Sequence, residues 1–212
     1  MAASPSQEMV QQLVTKVVDW GVDGVGFMTG AAEVADEHLR DGDSREQAIK
    51  RLVATHRRIV GASGFAAGIG GVWTMPVAVP ADLTVLYAYS ARCAAGVAHL
   101  RGYDVGSEEV RSMVLISLLG SSGAALLSQA GVEVAQKSAL SALRKLPGRT
   151  LIEINKKVGF RLITKFGERG VINLGKLIPL AGAPVGAGFN IATMSSVATY
   201  AKRNFPAAAS SA

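Results

Sequence analysis

From Ile59 to Ala81 the chain reads IVGASGFAAGIGGVWTMPVAVPA, without one charged side chain. Two more charge-free stretches follow, Ser112 to Val132 and Leu177 to Ala201. About 20 apolar residues is the length a helix needs to cross a bilayer, so the fold turns on whether these stretches are core or membrane. Their own residues bear on the choice. Pro76 and Pro80 sit near the end of the first, and Gly120-Ser121-Ser122-Gly123 splits the second. The third holds Pro179, Pro184, Asn190, Thr193, Ser195, Ser196 and Thr199. Gly and Ser are close to neutral on insertion scales, and the central helix of a compact bundle is also apolar all round. Gly64, Gly68, Gly70 and Gly71 place small residues four apart, and small residues let helix backbones approach closely. Buried core and membrane contact both stay open.

The surrounding residues read as helix throughout. Val10, Val14, Val17 and Val18 give a first helix from Gln7 to Asp19 or beyond, with Ser6 before it, and Ala31 to Arg40 reads as a second. Asp41-Gly42-Asp43-Ser44 is a turn whose Ser44 caps a third helix, with Glu46 and Gln47 in its first turn. Pro76 and Pro80 are expected to break the chain before a strong helix from about Ala81 to Arg101, stopped by Gly102. Ser107 is expected to cap the next helix, with Glu108 and Glu109 in its first turn. Beyond Pro147-Gly148, Leu151, Ile154, Val158, Leu162 and Phe166 form an apolar stripe beside Lys157, Arg161 and Lys165. No strand series appears, so the expected fold is all-α, one multi-helix bundle with Gly-rich apolar central helices.

Composition narrows the function classes. In 212 residues the chain is 49% hydrophobic and 18% charged, with 24 Gly and a net charge of +6, and its mean hydropathy is +0.29. Typical domains carry about 25% charged residues. One cysteine, Cys93, rules out an intrachain disulfide framework, and the polar N-terminus shows no secretory leader, so a cytoplasmic setting is expected. Residues 1–43 hold two basic and eight acidic side chains, whereas residues 144–176 hold nine basic and two acidic. Such asymmetry means either internal complementarity or a surface for anionic partners.

Chemical motifs are sparse. His38, His56 and His99 lack metal-ligand spacing, so no metal site is expected. Gly120-Ser121-Ser122-Gly123-Ala124 misses the nucleophile-elbow pattern, and Cys93 lies among alanines. No phosphate loop or nucleic-acid module is present, so no cofactor is expected and a nucleic-acid partner is not supported. Asp82 follows Pro80-Ala81 and should fall in the first turn of its helix, capping backbone N–H groups, with a ligand or proton site as the alternative. His99, Arg101, Tyr103 and Asp104 gather at the far end of that helix. There His99 and Asp104 form either an acid/base pair or, with Arg101, a dipole-stabilising end.

The order of segments carries a resemblance. The stretch 70–120, GGVWTMPVAVPADLTVLYAYSARCAAGVAHLRGYDVGSEEVRSMVLISLLG, followed by 175–205, GKLIPLAGAPVGAGFNIATMSSVATYAKRNF, resembles the EcsC family of bacterial proteins. Pro80 and Asp82, the Gly102-Tyr103-Asp104 helix end, and Pro179, Gly182, Gly186 and Asn190 carry it, over roughly Ala62 to Phe205. The resemblance implies an EcsC-like helical domain over residues 1–205, with an Ala/Ser-rich tail at 206–212. It implies no catalytic residues, because the family has no established biochemical activity. The candidate ligand or structural-motif positions are therefore Pro80, Asp82, His99, Gly102, Tyr103, Asp104, Pro179, Gly182 and Asn190.

Three functions stay in view. The first is a non-enzymatic protein peripheral to the inner face of the membrane, touching lipid through its apolar helices and binding an anionic surface through Lys156, Lys157, Arg161 and Lys165. The second is a helical protein–protein or self-association module. The third is an enzyme with its site near Asp82.

Overall fold

The computed structural model describes residues 7–69, 71–132, 138–174 and 182–207, apart from the side chains of 7–11, 13, 71–80, 163 and 165–174. Nine helices are described: α1 Gln7–Asp23, α2 Ala31–Glu37, α3 Arg45–Ile69, α4 Gly71–Leu100, α5 Glu108–Ser117, α6 Ser122–Gln129, α7 Ala139–Leu143, α8 Gly148–Leu174 and α9 Gly182–Asn204. No strand occurs among the described residues; a single bridge joins Val25 to Met28. The all-α reading holds.

Local sequence sets several helix ends. The Gln47 N–H donates to Ser44 Oγ (3.3 Å), and Gln47 Oε1 accepts from the Ser44 N–H (2.7 Å). This reciprocal box starts α3 where the sequence places it. Gly102 ends α4 at φ +81°. There the Tyr103 N–H reaches Ala98 O at 3.1 Å and the Gly102 N–H reaches His99 O at 2.8 Å, so two end carbonyls are satisfied at once. At α5 the outcome differs. Ser107 holds the cap position without a side-chain cap bond; its hydroxyl turns back to donate to Asp104 O at 2.9 Å.

The first charge-free stretch corrects the expectation most. Pro76 and Pro80 do not break a helix: α4 runs unbroken from Gly71 to Leu100. At 1.5 Å per residue its 30 residues extend about 45 Å. Each proline removes one hydrogen bond from the ladder, yet the helix continues through both. Asp82 consequently lies well inside α4, not in a first turn, and its capping role falls away.

Helix α4 is central, packed by α1, α2, α3, α5 and α9. On one side α4 shares a core with α1, α5, α6, α7 and α8 built from large side chains, including Ile116, Leu127, Leu140, Leu143, Ile154 and Leu162, all below 3% exposed. On the other side α3 crosses α9 antiparallel and almost without side chains between them. A Cβ on Gly64 would lie 2.5 Å from Gly186 O, and one on Gly68 would lie 2.4 Å from Gly182 O. The four-residue spacing on each helix is therefore a backbone-to-backbone seam.

Charge complementarity is internal but not in the form the asymmetry suggests. Asp19 and Asp23 pair with Arg111, Asp36 with His99, Asp43 with Arg51 and Glu46 with Arg101. Among the described residues, the acidic N-terminal region is thus met by side chains from 51–111 rather than from the basic segment at 144–176.

Candidate functional site

The glycine seam brings together two candidates that lie 108 positions apart in the chain. Asn190 of α9, 1% exposed, donates from Nδ2 to Asp82 Oδ1 (3.0 Å), Asp82 Oδ2 (3.1 Å) and Val60 O (2.9 Å). Two N–H bonds serve three acceptors, so the carboxylate oxygens share one hydrogen and the α3 carbonyl takes the other. Ser63 Oγ donates to Asp82 Oδ1 at 2.5 Å. Gly64 makes this possible, because a Cβ there would sit 2.6 Å from Asn190 Nδ2. Asp82 is partly buried, and Asn190 Oδ1 is buried without a hydrogen-bond partner among the described residues. The node ties α3, α4 and α9 at one point and gathers one carboxylate, one hydroxyl and one amide. Among the described residues it holds no second acid and no histidine. Ser63 was not singled out by the sequence; only its place one residue before Gly64 marks it.

The remaining family-pattern positions distribute as follows. Gly182 opens α9 against Gly68, where a Cβ would lie 2.9 Å from Gly68 O. Pro80 lies in the α4 backbone, its side chain outside the described residues, and Pro179 lies outside them altogether.

At the other end of α4 the His99–Asp104 acid/base pair, one of the two alternatives there, does not form. His99 Nε2 instead faces Asp36 Oδ1 at 2.8 Å, and Asp104 Oδ1 accepts from the Gly106 N–H at 2.8 Å, closing a local turn. Arg101 spans Glu46 Oε1 and the carbonyls of Lys202 and Phe205, while Tyr103 donates to Pro206 O at 2.8 Å and tilts against Phe205. These contacts clasp the end of α9. The Gly102-Tyr103-Asp104 pattern is accounted for by that clasp.

Sequence reading missed a buried pair beneath α2. His56, 0% exposed, faces Leu52 O from Nδ1 at 2.8 Å, which leaves Nε2 to accept from Arg92 Nε at 3.1 Å. Arg92, 7% exposed, stacks 4.3 Å from the Tyr89 ring centroid and donates to Thr29 O. Among the described residues no carboxylate lies within ion-pair distance of it. Burial pushes the His56 pKa down to about 4 and lowers that of Arg92. Their fixed tautomer and stacking are the signature of a packed polar core. A cleft of about 250 Å³ also opens between α1, α5 and α8 beside Asp19, Arg111, Ser112 and Asn155. Asn155 Nδ2 donates to Ser112 Oγ at 3.0 Å, and burial pushes the Asp19 carboxyl up despite the Arg111 guanidinium beside it.

On α8, Leu151, Ile154, Val158 and Leu162 are buried in the core, so the apolar stripe faces inward. Lys156 and Lys157 are exposed, between Ile152 and Phe160, each 52% exposed. Arg161 donates to Gln129 Oε1 at 2.5 Å, and the Lys165 side chain lies outside the described residues.

A second surface flanks the glycine seam. Phe65 and Ile69 on α3 are 48% and 56% exposed, and Val185 and Phe189 on α9 are 47% and 45% exposed. Ala62, Ala66, Pro184, Gly188 and Ala192 are exposed beside them. None of these described residues is charged. No helix among the described residues is long and apolar enough to cross a membrane, and none of their His, Cys, Asp and Glu side chains form a metal-holding group.

The model of the EcsC protein family matches residues 4–206, further toward the N-terminus than the resemblance at 62–205. No curated protein and no solved structure matches the chain.

Proposed function

This chain belongs to the EcsC protein family, and we propose that it is a non-enzymatic helical protein that touches lipid peripherally, at the inner face of a membrane. One observation carries the reading: the parts of α3 and α9 that flank the glycine seam are free of charge and yet half exposed. Burial accounts for an apolar residue inside a bundle, not for the half-exposed Phe65 and Ile69 on α3 and Val185 and Phe189 on α9. Exposed apolar surface on two neighbouring helices is the kind that marks a lipid or protein contact. A peripheral mode fits a chain whose described helices do not meet the requirements of a span. Lys156 and Lys157 on α8 add a basic face that attracts an anionic leaflet at longer range. The Asp82–Asn190–Ser63 node, in this reading, holds the crossing of α3 over α9 and so the shape of the apolar surface.

Vesicle flotation without detergent tests it. The full chain should float with vesicles, and Phe65→Ser with Phe189→Ser should stay at the bottom of the gradient while keeping the helical circular dichroism of the parent. A parent chain that never floats, or that forms a dimer burying Phe65 and Phe189, overturns the reading in favour of a protein–protein module. Reversing Lys156, Lys157, Arg161 and Lys165 to Glu should weaken flotation with anionic vesicles and spare it with neutral ones.

A further inference from the structure

The apolar surface of α3 continues directly into two arginines. Arg58, Ala62, Phe65 and Ile69 follow at spacings of four, three and four, so they share one exposed face of the helix. Arg57 is exposed beside Arg58, and among the described residues neither has a carboxylate within ion-pair distance. No acidic residue occurs on α3 after Glu46 or anywhere on α9. At 1.5 Å per residue Arg58 lies about 10 Å along the axis from Phe65 and about 16 Å from Ile69. Headgroups occupy about 5–7 Å on each side of the hydrocarbon. With Phe65 and Ile69 at the acyl boundary, the long Arg57 and Arg58 side chains therefore reach the level of the phosphates.

We infer that Arg57 and Arg58 form a phosphate-binding belt that makes the membrane contact selective for anionic phospholipid. The inference rests on the lipid-contacting reading above and adds the lipid class and the residues that choose it. Guanidinium suits this role because its planar fork bonds two phosphate oxygens at once while its stem lies along apolar surface. The occupant is a phospholipid surface because the two unpaired cations complement phosphate, and because they border the apolar tip without interrupting it.

The test compares flotation of the full chain with vesicles of phosphatidylcholine alone and of phosphatidylcholine mixed with phosphatidylglycerol. The parent should partition more strongly into the anionic vesicles, and the difference should shrink as salt is raised. Arg57→Gln with Arg58→Gln should lower partition into the anionic vesicles roughly 30-fold, at about fivefold per arginine. Partition into phosphatidylcholine should stay as it was. Arg57→Lys with Arg58→Lys should keep most of the selectivity, which separates lost charge from a damaged fold. Equal partition of the parent into both vesicles overturns the belt while leaving the apolar contact standing. So does selectivity that survives the Gln pair and disappears in Lys156→Gln with Lys157→Gln. A parent that binds neither vesicle removes both the contact and the belt.

Discussion

Two charge-free regions of this bundle are built on opposite principles. Residues 112–120, at α5 and the turn after it, are all buried, and their lack of charge is what an interior demands. Residues 61–69 of α3 and 182–192 of α9 are equally charge-free, but only their inner faces are buried; the outer faces carry Phe65, Ile69, Val185 and Phe189. Around α5 the helices are held apart by Met113, Ile116, Leu127 and Leu140, whereas at the seam the backbones of Gly64 and Gly186 touch. An absence of charge therefore records an interior in one place and an outward apolar surface in the other. Only the way the helices pack distinguishes the two.

Removing atoms should hurt the first region most, and adding them the second. Leu127 of α6, fully buried in the large core, should lose about 3–4 kcal/mol as Leu127→Ala, read from denaturant midpoints. A cost under about 1 kcal/mol would mean that this core is looser than described. The buried His56 gives the next largest effect, as a function of pH. Its pKa falls from 6.5 to about 4 on folding, so the unfolded chain binds more protons between those values. Stability is then complete above pH 6.5 and declines toward pH 4, by about 3 kcal/mol in all. His56→Gln should flatten that part of the pH profile, and an unchanged profile would assign the decline to other groups.

At the seam the sign reverses. Gly64→Ala places a Cβ 2.5 Å from a backbone oxygen of α9, so the helices must separate at a cost of about 1–3 kcal/mol despite alanine's better helix propensity. Gly188 is on the same α9 but meets nothing within 4 Å. Gly188→Ala should accordingly raise stability by about 0.5–1 kcal/mol. If both alanines shift the melting temperature the same way, the seam is not a close contact.

Much of this was legible in the sequence, and the limits follow from its physics. Helix starts and stops are local: Ser44 with Gln47, and Gly102, act through hydrogen bonds spanning a few residues, and the sequence places them correctly. Pro76 and Pro80 mislead because the local rule for proline expects a break, whereas α4 continues through both. Asp82 and Asn190 were each identifiable as family-pattern positions, but their meeting depends on α3 crossing α9 antiparallel, which no local pattern encodes. His99 found Asp36 instead of the adjacent Asp104 because Gly106 and the turn at 104–107 already occupy that carboxylate. The buried pair of His56 and Arg92 left no signal beyond helical spacing, since a histidine on an apolar face reads the same whatever it faces.

The central claim is that the outer surface beside the glycine seam meets lipid, and depth-dependent quenching tests it most directly. A fluorophore is placed at Phe65→Cys in one protein and at Phe27→Cys in another, Phe27 being a lone aromatic 98% exposed in the turn after α1. The native Cys93 is fully buried, and its thiol is pushed up to about 12, so it does not compete for the label. With vesicles containing brominated acyl chains, the account predicts strong quenching at position 65 and none at position 27. Quenching at 27 but not at 65, or at neither, contradicts it.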